Sequence, residues 1–295
     1  MSSQIRLSLV IPAKDINDPK LKELLASIEA QDFPKGELET LVITEGTSES
    51  AKAIGIRKAK GEVIGILASD NELIHKDHLS YAYYWAKKGF WQSALYYHSF
   101  DDDILNRYFA LIGGNDPLSY YMGKNDKRSH ANYKTNLKGA IGDNGFFIRK
   151  DLIEKTDLDN YYHIDNAIEA TEGVPGVTTD YPIWHKTGGN IFHFFAKRYR
   201  YGLQHAFNKN RRWHLVDFSK PQDIWRLIWF IFASLTLVHP LYTSIRGYLK
   251  VGDLAWFLHP LICLATLFTY GCLVVHLCVR GLYQSLSART VAQRA

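Results

Sequence analysis

A short apolar run, Val63, Ile64, Gly65, Ile66 and Leu67, turns abruptly polar at Ala68-Ser69-Asp70-Asn71-Glu72. Its length, its β-branched residues and the turn glycine Gly61 before it read as a buried strand. Ligands of open α/β sheets sit in the crevice beyond the carboxyl ends of the strands, which is where Asp70 falls. A carboxylate there can hold a hard divalent cation, because Mg²⁺ and Mn²⁺ take oxygen ligands, often only one or two carboxylates, with phosphates completing the shell. An acidic residue after a strand also makes turns or caps helices, so its position alone leaves both roles open. Asp101-Asp102-Asp103 contains a literal D-x-D and competes for the same cation, but no glycine-bounded strand precedes it.

The segments around Asp70 alternate in type. Residues 6–12 (RLSLVIP) form an apolar run stopped by proline. Leu21, Leu24, Leu25 and Ile28 show the spacing of an amphipathic helix over residues 20–31. Residues 39–43 predict a second strand, residues 48–60 a helix carrying Arg57, and the run before Asp70 a third strand. Strand, helix, strand, helix, strand with short connections means parallel βαβ units with right-handed crossovers, so the fold class is α/β. Beyond it, a helix over residues 77–88 and an apolar stretch over 91–97 are expected. Residues 103–133 show no clean periodicity. Residues 138–150 bring three glycines and an Asn144-Gly145 turn before a strand over 146–149, and a short strand runs from Tyr181 to His185.

Three ordered stretches, VIPAKD, LVITEGTSES and AIGIRKAKGEVIGILASDNEL, together resemble the nucleotide-sugar-binding half of the inverting family-two glycosyltransferases with a GT-A fold. The resemblance is clear over the first 80 or so residues and looser to about Trp213. It implies that Pro12, Lys14 and Asp15 meet the nucleotide base, that Glu45 contacts base or ribose, and that Arg57 lies near the diphosphate. It also implies that Asp70 is the last aspartate of the family's metal-binding D-x-D, with Asn71 or Glu72 as a further oxygen donor and Mg²⁺ or Mn²⁺ as cofactor. The sequence departs from the pattern at Ala68, in place of the first aspartate, and at Thr44-Glu45, in place of an aspartate pair. Asn144 and Gly145 would line the acceptor side, and Asp165 would be the catalytic base, although an N-cap role is also open to it. His185 would contact the metal or the diphosphate, or simply satisfy a hydrogen bond.

The chain has 295 residues and a net charge of +5, but the basicity is local. Residues 197–220 hold seven Lys or Arg against Asp217, which leaves the remainder close to neutral. Phe192, Phe195, Tyr199, Leu203 and Phe207 mark one face of a basic amphipathic helix suited to an anionic membrane surface. Residues 224–245 carry one charged side chain, Arg226, and residues 254–279 carry no Lys, Arg, Asp or Glu. Each is long enough to cross the hydrocarbon core, which predicts two transmembrane helices and argues against nucleic acid as the partner of the basic patch. The three cysteines all fall in the second of these stretches and read as apolar packing residues. The cationic flanks place both ends and the N-terminal domain in the cytoplasm of an inner membrane, with no secretory signal expected before Ser8.

The expected organisation is a mostly parallel catalytic domain over residues 1–190, a basic interfacial segment over 191–222 and a two-span hairpin over 223–295. Within the first, residues 1–100 would bind the donor and 101–190 face the acceptor. The expected activity is transfer of a sugar from a nucleotide diphosphate sugar to a lipid-linked or glycan acceptor. A polyprenyl-phosphate monosaccharide synthase and a non-catalytic scaffold are the alternatives.

Overall fold

The structure, a computed structural model, describes residues 4–89, 91–93, 96–114, 116–123, 144–161, 176–178, 181–186, 190–207 and 216–292. Asp165 lies outside them. Six strands form one sheet: β1 (Leu7–Pro12), β2 (Leu38–Ile43), β3 (Val63–Ile66), β5 (Trp91–Ser93), β6 (Phe146–Arg149) and β7 (Gly176–Thr178), in the order β2-β1-β3-β6-β5-β7. Only β6 runs against the rest: β1 pairs in parallel with β2 and β3, β6 pairs antiparallel with β3 and β5, and β5 pairs in parallel with β7. The mostly parallel sheet expected from the βαβ pattern is therefore present, with one reversed strand in its middle. Two further strands, β4 (Asn71–Leu73) and β8 (Ile183–His185), pair antiparallel in a separate small sheet.

Strand alternation sets up two cores. Leu7, Leu9 and Ile11 of β1 face α1 (Pro19–Glu29) and α3 (His78–Lys87), while Val10 and Ile64 face α2 (Ser48–Lys58) and α6 (Lys150–Ile153) on the other side. A strand buried on both faces needs a continuous apolar run rather than strict alternation, and β1 and β3 have one. Gly65 in β3 leaves room for the Phe147 ring, since a Cβ there would come within 2.5 Å of it. Asp18 caps α1 by accepting from the backbone N–H of Lys20 at 2.9 Å, and Thr47 opens α2 with a reciprocal capping box to Ser50.

Within the stretch that lacked a pattern, residues 104–112 and 117–121 are helical. Asp103 caps α4 (Ile104–Ile112), whose Leu105, Tyr108, Phe109 and Ile112 form a buried stripe, and Gly113 ends it in the left-handed region at φ 72°. After α5 (Pro117–Tyr121), the chain supplies α7 (Ile191–Phe207), α8 (Pro221–Thr236), α9 (Val238–Val251), a 3-10 turn (Leu254–Leu258) and α10 (His259–Ala292). The stripe of α4 packs on Ala255, Trp256 and Ile262, together with Phe194 and Phe195 of α7. α5 packs on Phe230, Ala233 and Cys263. Residues 104–122 are thus the platform on which the C-terminal helices rest. The aromatic stripe of α7 is covered in part by α10: Tyr199 Oη lies 2.6 Å from His276 Nδ1 and Gly202 abuts Leu273, whereas Phe192 is 80% exposed.

The first expected span is not one straight helix. α8 and α9 meet at an angle of 85°. Between them Leu237 takes a left-handed conformation, φ 58°, and Pro240 follows three residues later. Proline cannot donate to the carbonyl four residues back, and its ring clashes with that carbonyl, so the ladder cannot run through Thr236. Among the described residues one stretch, Leu254–Leu282, is by length and composition long and apolar enough to cross a membrane, and the bent pair qualifies only if its two arms count as one span.

A polar seam joins the helices to the sheet domain. Asp253, 1% exposed, lies 2.7 Å from His98 Nε2 and 3.4 Å from Arg107, and accepts from the Ala255 N–H at 2.7 Å. Tyr108 Oη and His259 Nδ1 meet at 2.8 Å, and Arg226 donates to the Met122 carbonyl at 2.8 Å. Removing one partner of a buried charged pair strands the others, so Asp253→Ala should cost about 3 kcal/mol. Thermal unfolding of the full chain in detergent checks this; an unchanged melting temperature would mean that apolar packing alone holds the seam.

Candidate functional site

The small β4–β8 sheet builds the site. Its register sets Asn71 opposite His185 and Leu73 opposite Ile183, and the Lys186 N–H donates to the Asp70 carbonyl at 2.8 Å. Two residues 115 positions apart thereby meet, with His185 Nε2 3.4 Å from Asp70 Oδ1. Tyr96 tilts over the His185 ring at 4.7 Å between centroids, and its hydroxyl accepts from Asn144 Nδ2 at 3.1 Å. Gly145 holds φ 66°, a conformation that suits glycine, and so lets β6 begin just after Asn144. Asp70, His185 and Asn144 are therefore brought together, through a tyrosine that the sequence did not single out.

Cations gather around this carboxylate. Lys20 Nζ donates to the Lys186 carbonyl at 2.5 Å, one residue beyond His185. Burial alone would raise the Asp70 pKa, but His185, by charge and hydrogen bond, and then Lys197 and Lys20 pull it from 3.8 down to about 2. The Lys197 ammonium is lowered by partial desolvation and, though Asp70 opposes this, also by Arg198, Lys14 and Lys20. Lys14, Asp15 and Glu45 lie exposed at the carboxyl ends of β1 and β2, with Pro12 closing β1. The nearby Lys186 bridges Glu23 and Glu72 at 2.6 and 2.5 Å.

Two expected contacts are elsewhere. Arg57 occupies the last turn of α2, at the edge of the sheet away from Asp70, and pairs with Asp159. Nine residues of helix, about 14 Å at 1.5 Å per residue, separate it from the end of α2 that opens on the crevice. The cation on the crevice side of it is Lys52, which is buried. Asn71 is 1% exposed, and its carboxamide oxygen accepts from the Ala68 N–H at 2.8 Å, so it fastens the turn that carries Asp70 instead of facing a ligand. Glu72 is held by Lys186. The competing acidic run is structural: Asp102 accepts from Asp103 N–H, Asn106 and Trp184 Nε1, and Asp103 caps α4.

As a divalent cation site, the described residues offer two donors, Asp70 and His185, and no group of three His, Cys, Asp or Glu. That suits an ion whose shell is completed by substrate phosphates rather than one caged by protein alone.

No protein-family model matches the chain, and no curated protein matches it. Among solved structures it is similar to residues 1–349 of TarS from S. aureus, at 14% identity and a TM-score of 0.45, over 68% of this chain and 66% of that one. The same TarS fragment in complex with UDP-GlcNAc matches at 12% identity and 0.41, over 85% and 78%. The mannosyltransferase PcManGT from Pyrobaculum calidifontis, in complex with GDP-Man and Mn²⁺, matches at 17% identity and 0.48, over 90% and 86%. The first of these is thus matched over just under two thirds of its length.

The Asp70 pair has a consequence for stability. A carboxyl whose folded pKa is depressed adds stability above its unfolded value and loses it as pH falls through the folded one. With 3.8 lowered to about 2, roughly 2 kcal/mol should disappear between about pH 4 and pH 2. Asp70→Asn should remove that part of the pH dependence of the melting temperature. An equal fall in both proteins would assign it to other groups.

Proposed function

We propose that the protein is a membrane-anchored inverting glycosyltransferase that moves a sugar from a nucleotide diphosphate sugar to a lipid-linked or membrane-surface saccharide. The observation that carries this reading is the Asp70–His185 pair at the carboxyl edge of the sheet, ringed by lysines. Both α1 and α2 also begin at that edge, each following the end of a strand, and helix N-termini favour anions. A phosphorylated substrate fits such a crevice far better than a neutral one.

In the transfer, an acceptor hydroxyl attacks the anomeric carbon from the face opposite the diphosphate. The carbon–oxygen bond to the phosphate breaks and its electron pair leaves with the nucleoside diphosphate. Asp165 is assigned the proton of the attacking hydroxyl, as a carboxylate within hydrogen-bond reach can take it. Asp70 and His185 would hold Mg²⁺ or Mn²⁺ when the donor brings it, and the cation would stabilise charge on the leaving oxygen. Asn71 fixes the turn beneath Asp70, and Tyr96 with Asn144 orients His185. Glu45, Lys14, Asp15 and Pro12 lie where a base and ribose would reach the edge of the sheet.

Membrane attachment is supported by the apolar surface of α8, α9 and α10, where Trp225, Leu249 and Phe268 are each at least 70% exposed. A surface of that kind belongs against lipid rather than water. With the cationic flanks inside, the site faces the cytoplasm of an inner membrane.

Asp70→Asn should abolish transfer while the protein still folds at 25 °C, and turnover within tenfold of wild type would remove Asp70 from the site. Asp165→Asn should lower turnover roughly 10²- to 10⁴-fold with donor binding little changed. Radiolabelled sugar transfer from a panel of nucleotide sugars into membrane lipid measures both. An unaffected rate for the second variant would point to a phosphate acceptor, which needs no base.

A further inference from the structure

The bent pair α8–α9 has two unlike faces. Phe230 and Ala233 are buried against α5, and Gly247 lies against the Trp256 ring. The other side carries Trp229, Phe232, Leu235, Val238, Leu241 and Ile245, all exposed. No Lys, Arg, Asp or Glu lies between Arg226 and Arg246, and Asp223, Lys250 and Asp253 also sit toward the outer ends of the pair. A continuous apolar face of this kind marks a surface that something covers.

Length and angle decide what the pair can do in a bilayer. A straight helix from Arg226 to Arg246 would rise about 30 Å, enough to put the two arginines on opposite sides of the hydrocarbon core. The 85° bend at Leu237 changes this. Arms of about 16 and about 13 Å then leave the arginines about 21 Å apart, with the corner about 10 Å from the line between them. Charge is costly inside the core, so both arginines stay at its edge and the corner reaches into one leaflet. The contacts with the rest of the fold agree. Arg226 donates to the Met122 carbonyl at 2.8 Å, just after α5. At the far end Asp253 meets His98 and Arg107, the latter on α4. The corner is tied to the same platform, with Tyr121 Oη 2.9 Å from His239 Nδ1. A pair that crossed the membrane would carry Asp253 to the side away from α4.

We propose that α8 and α9 form a re-entrant hairpin, which enters the leaflet next to the sheet domain and returns to the same face. This rests on the membrane-anchored part of the reading above and fixes how that anchor meets the bilayer. Acyl chains of that leaflet cover the outer face. Lipid is the occupant because cations flank the apolar face at both ends, Arg226 at one and Arg246 with Lys250 at the other, where anionic headgroups would meet them. The apolar surface also continues into Leu254–Leu282, which is long enough to cross a membrane. Lys250 and the sheet domain then face the same aqueous side.

The test is chemical labelling of the full chain in sealed vesicles of phosphatidylcholine and phosphatidylglycerol, with the sheet domain outward. Lys250 is the last lysine in the sequence, and Lys58 lies exposed on α2. A membrane-impermeant amine reagent, read by peptide mass, should modify both to the same extent without detergent. This readout needs no substitution, so it stands whether or not a variant folds. An impermeant maleimide should label Lys58→Cys in intact vesicles and leave Val238→Cys unlabelled until detergent is added. Modification of Lys250 only after the vesicles are opened would make the pair a broken span and overturn the hairpin, with the membrane anchor still standing. Labelling of Val238→Cys in intact vesicles would overturn lipid as the occupant. If an alkaline wash strips the chain from the vesicles, the anchor falls and the hairpin falls with it. Sugar transfer enters none of these readouts, so the nucleotide-sugar reading is judged apart from them.

Discussion

One backbone hydrogen bond, from the Lys186 N–H to the Asp70 carbonyl at 2.8 Å, is the join on which the site depends. It extends a pairing of only three residues per strand, β4 with β8, that lies outside the main sheet. Without it the turn after β3 would carry a lone carboxylate with no histidine beside it. With it, His185, Lys20 and Tyr96 all take positions relative to Asp70. The turn has to be rigid for this to work. Asn71 makes it so by spending its carboxamide oxygen on the Ala68 N–H, in the interior. A residue adjacent to the candidate carboxylate thus contributes through the backbone and not through solvent.

The main sheet and its flanking helices were legible in the sequence, because a strand buried on both faces and an amphipathic helix leave different periods. Leu21, Leu24 and Ile28 point into the core as their spacing requires, and β1, β2 and β3 run parallel as short crossovers require. The Asp70–His185 proximity was legible only through resemblance, since no local rule links positions 115 residues apart. Arg57 shows the limit of carrying a role across by position alone: the direction of α2, from the carboxyl to the amino edge of the sheet, puts its last turn at the wrong end. Lys20 reads locally as the solvated face of α1, and Lys197 as one cation of a membrane-facing patch, so neither is linked to Asp70 by its neighbours in sequence.

The helical part departs from a plain hydropathy reading in two ways. Hydropathy counts side chains and ignores what proline does to the ladder, so it reads residues 224–245 as one continuous stretch, whereas the structure bends them by 85°. Leu237 pays for the resulting corner with a left-handed backbone, disfavoured by about 1–2 kcal/mol for a residue with a Cβ. The stripe Leu105, Tyr108, Phe109 and Ile112 was present in the sequence with helical spacing, but the turn cluster after it and the aromatics beyond diluted the signal. Capping by Asp103 explains the acidic run better than metal binding does, because a D-x-D before a helix supplies its N-cap.

The placement of charge explains why the two parts of the molecule hold a fixed relation. Apolar packing of α4 on Trp256 and Ile262 supplies contact area but little orientation, since apolar contacts are not directional. Orientation comes from Asp253, which must satisfy His98, Arg107 and the Ala255 N–H together. A buried carboxylate with three partners tolerates few arrangements, because each one lost leaves a desolvated group unpaired. The same residues that set the angle of α10 also set the position of α7, which packs along it through Tyr199 and Gly202. Lys197 lies on that helix, so the charge around Asp70 depends on how the C-terminal helices are seated.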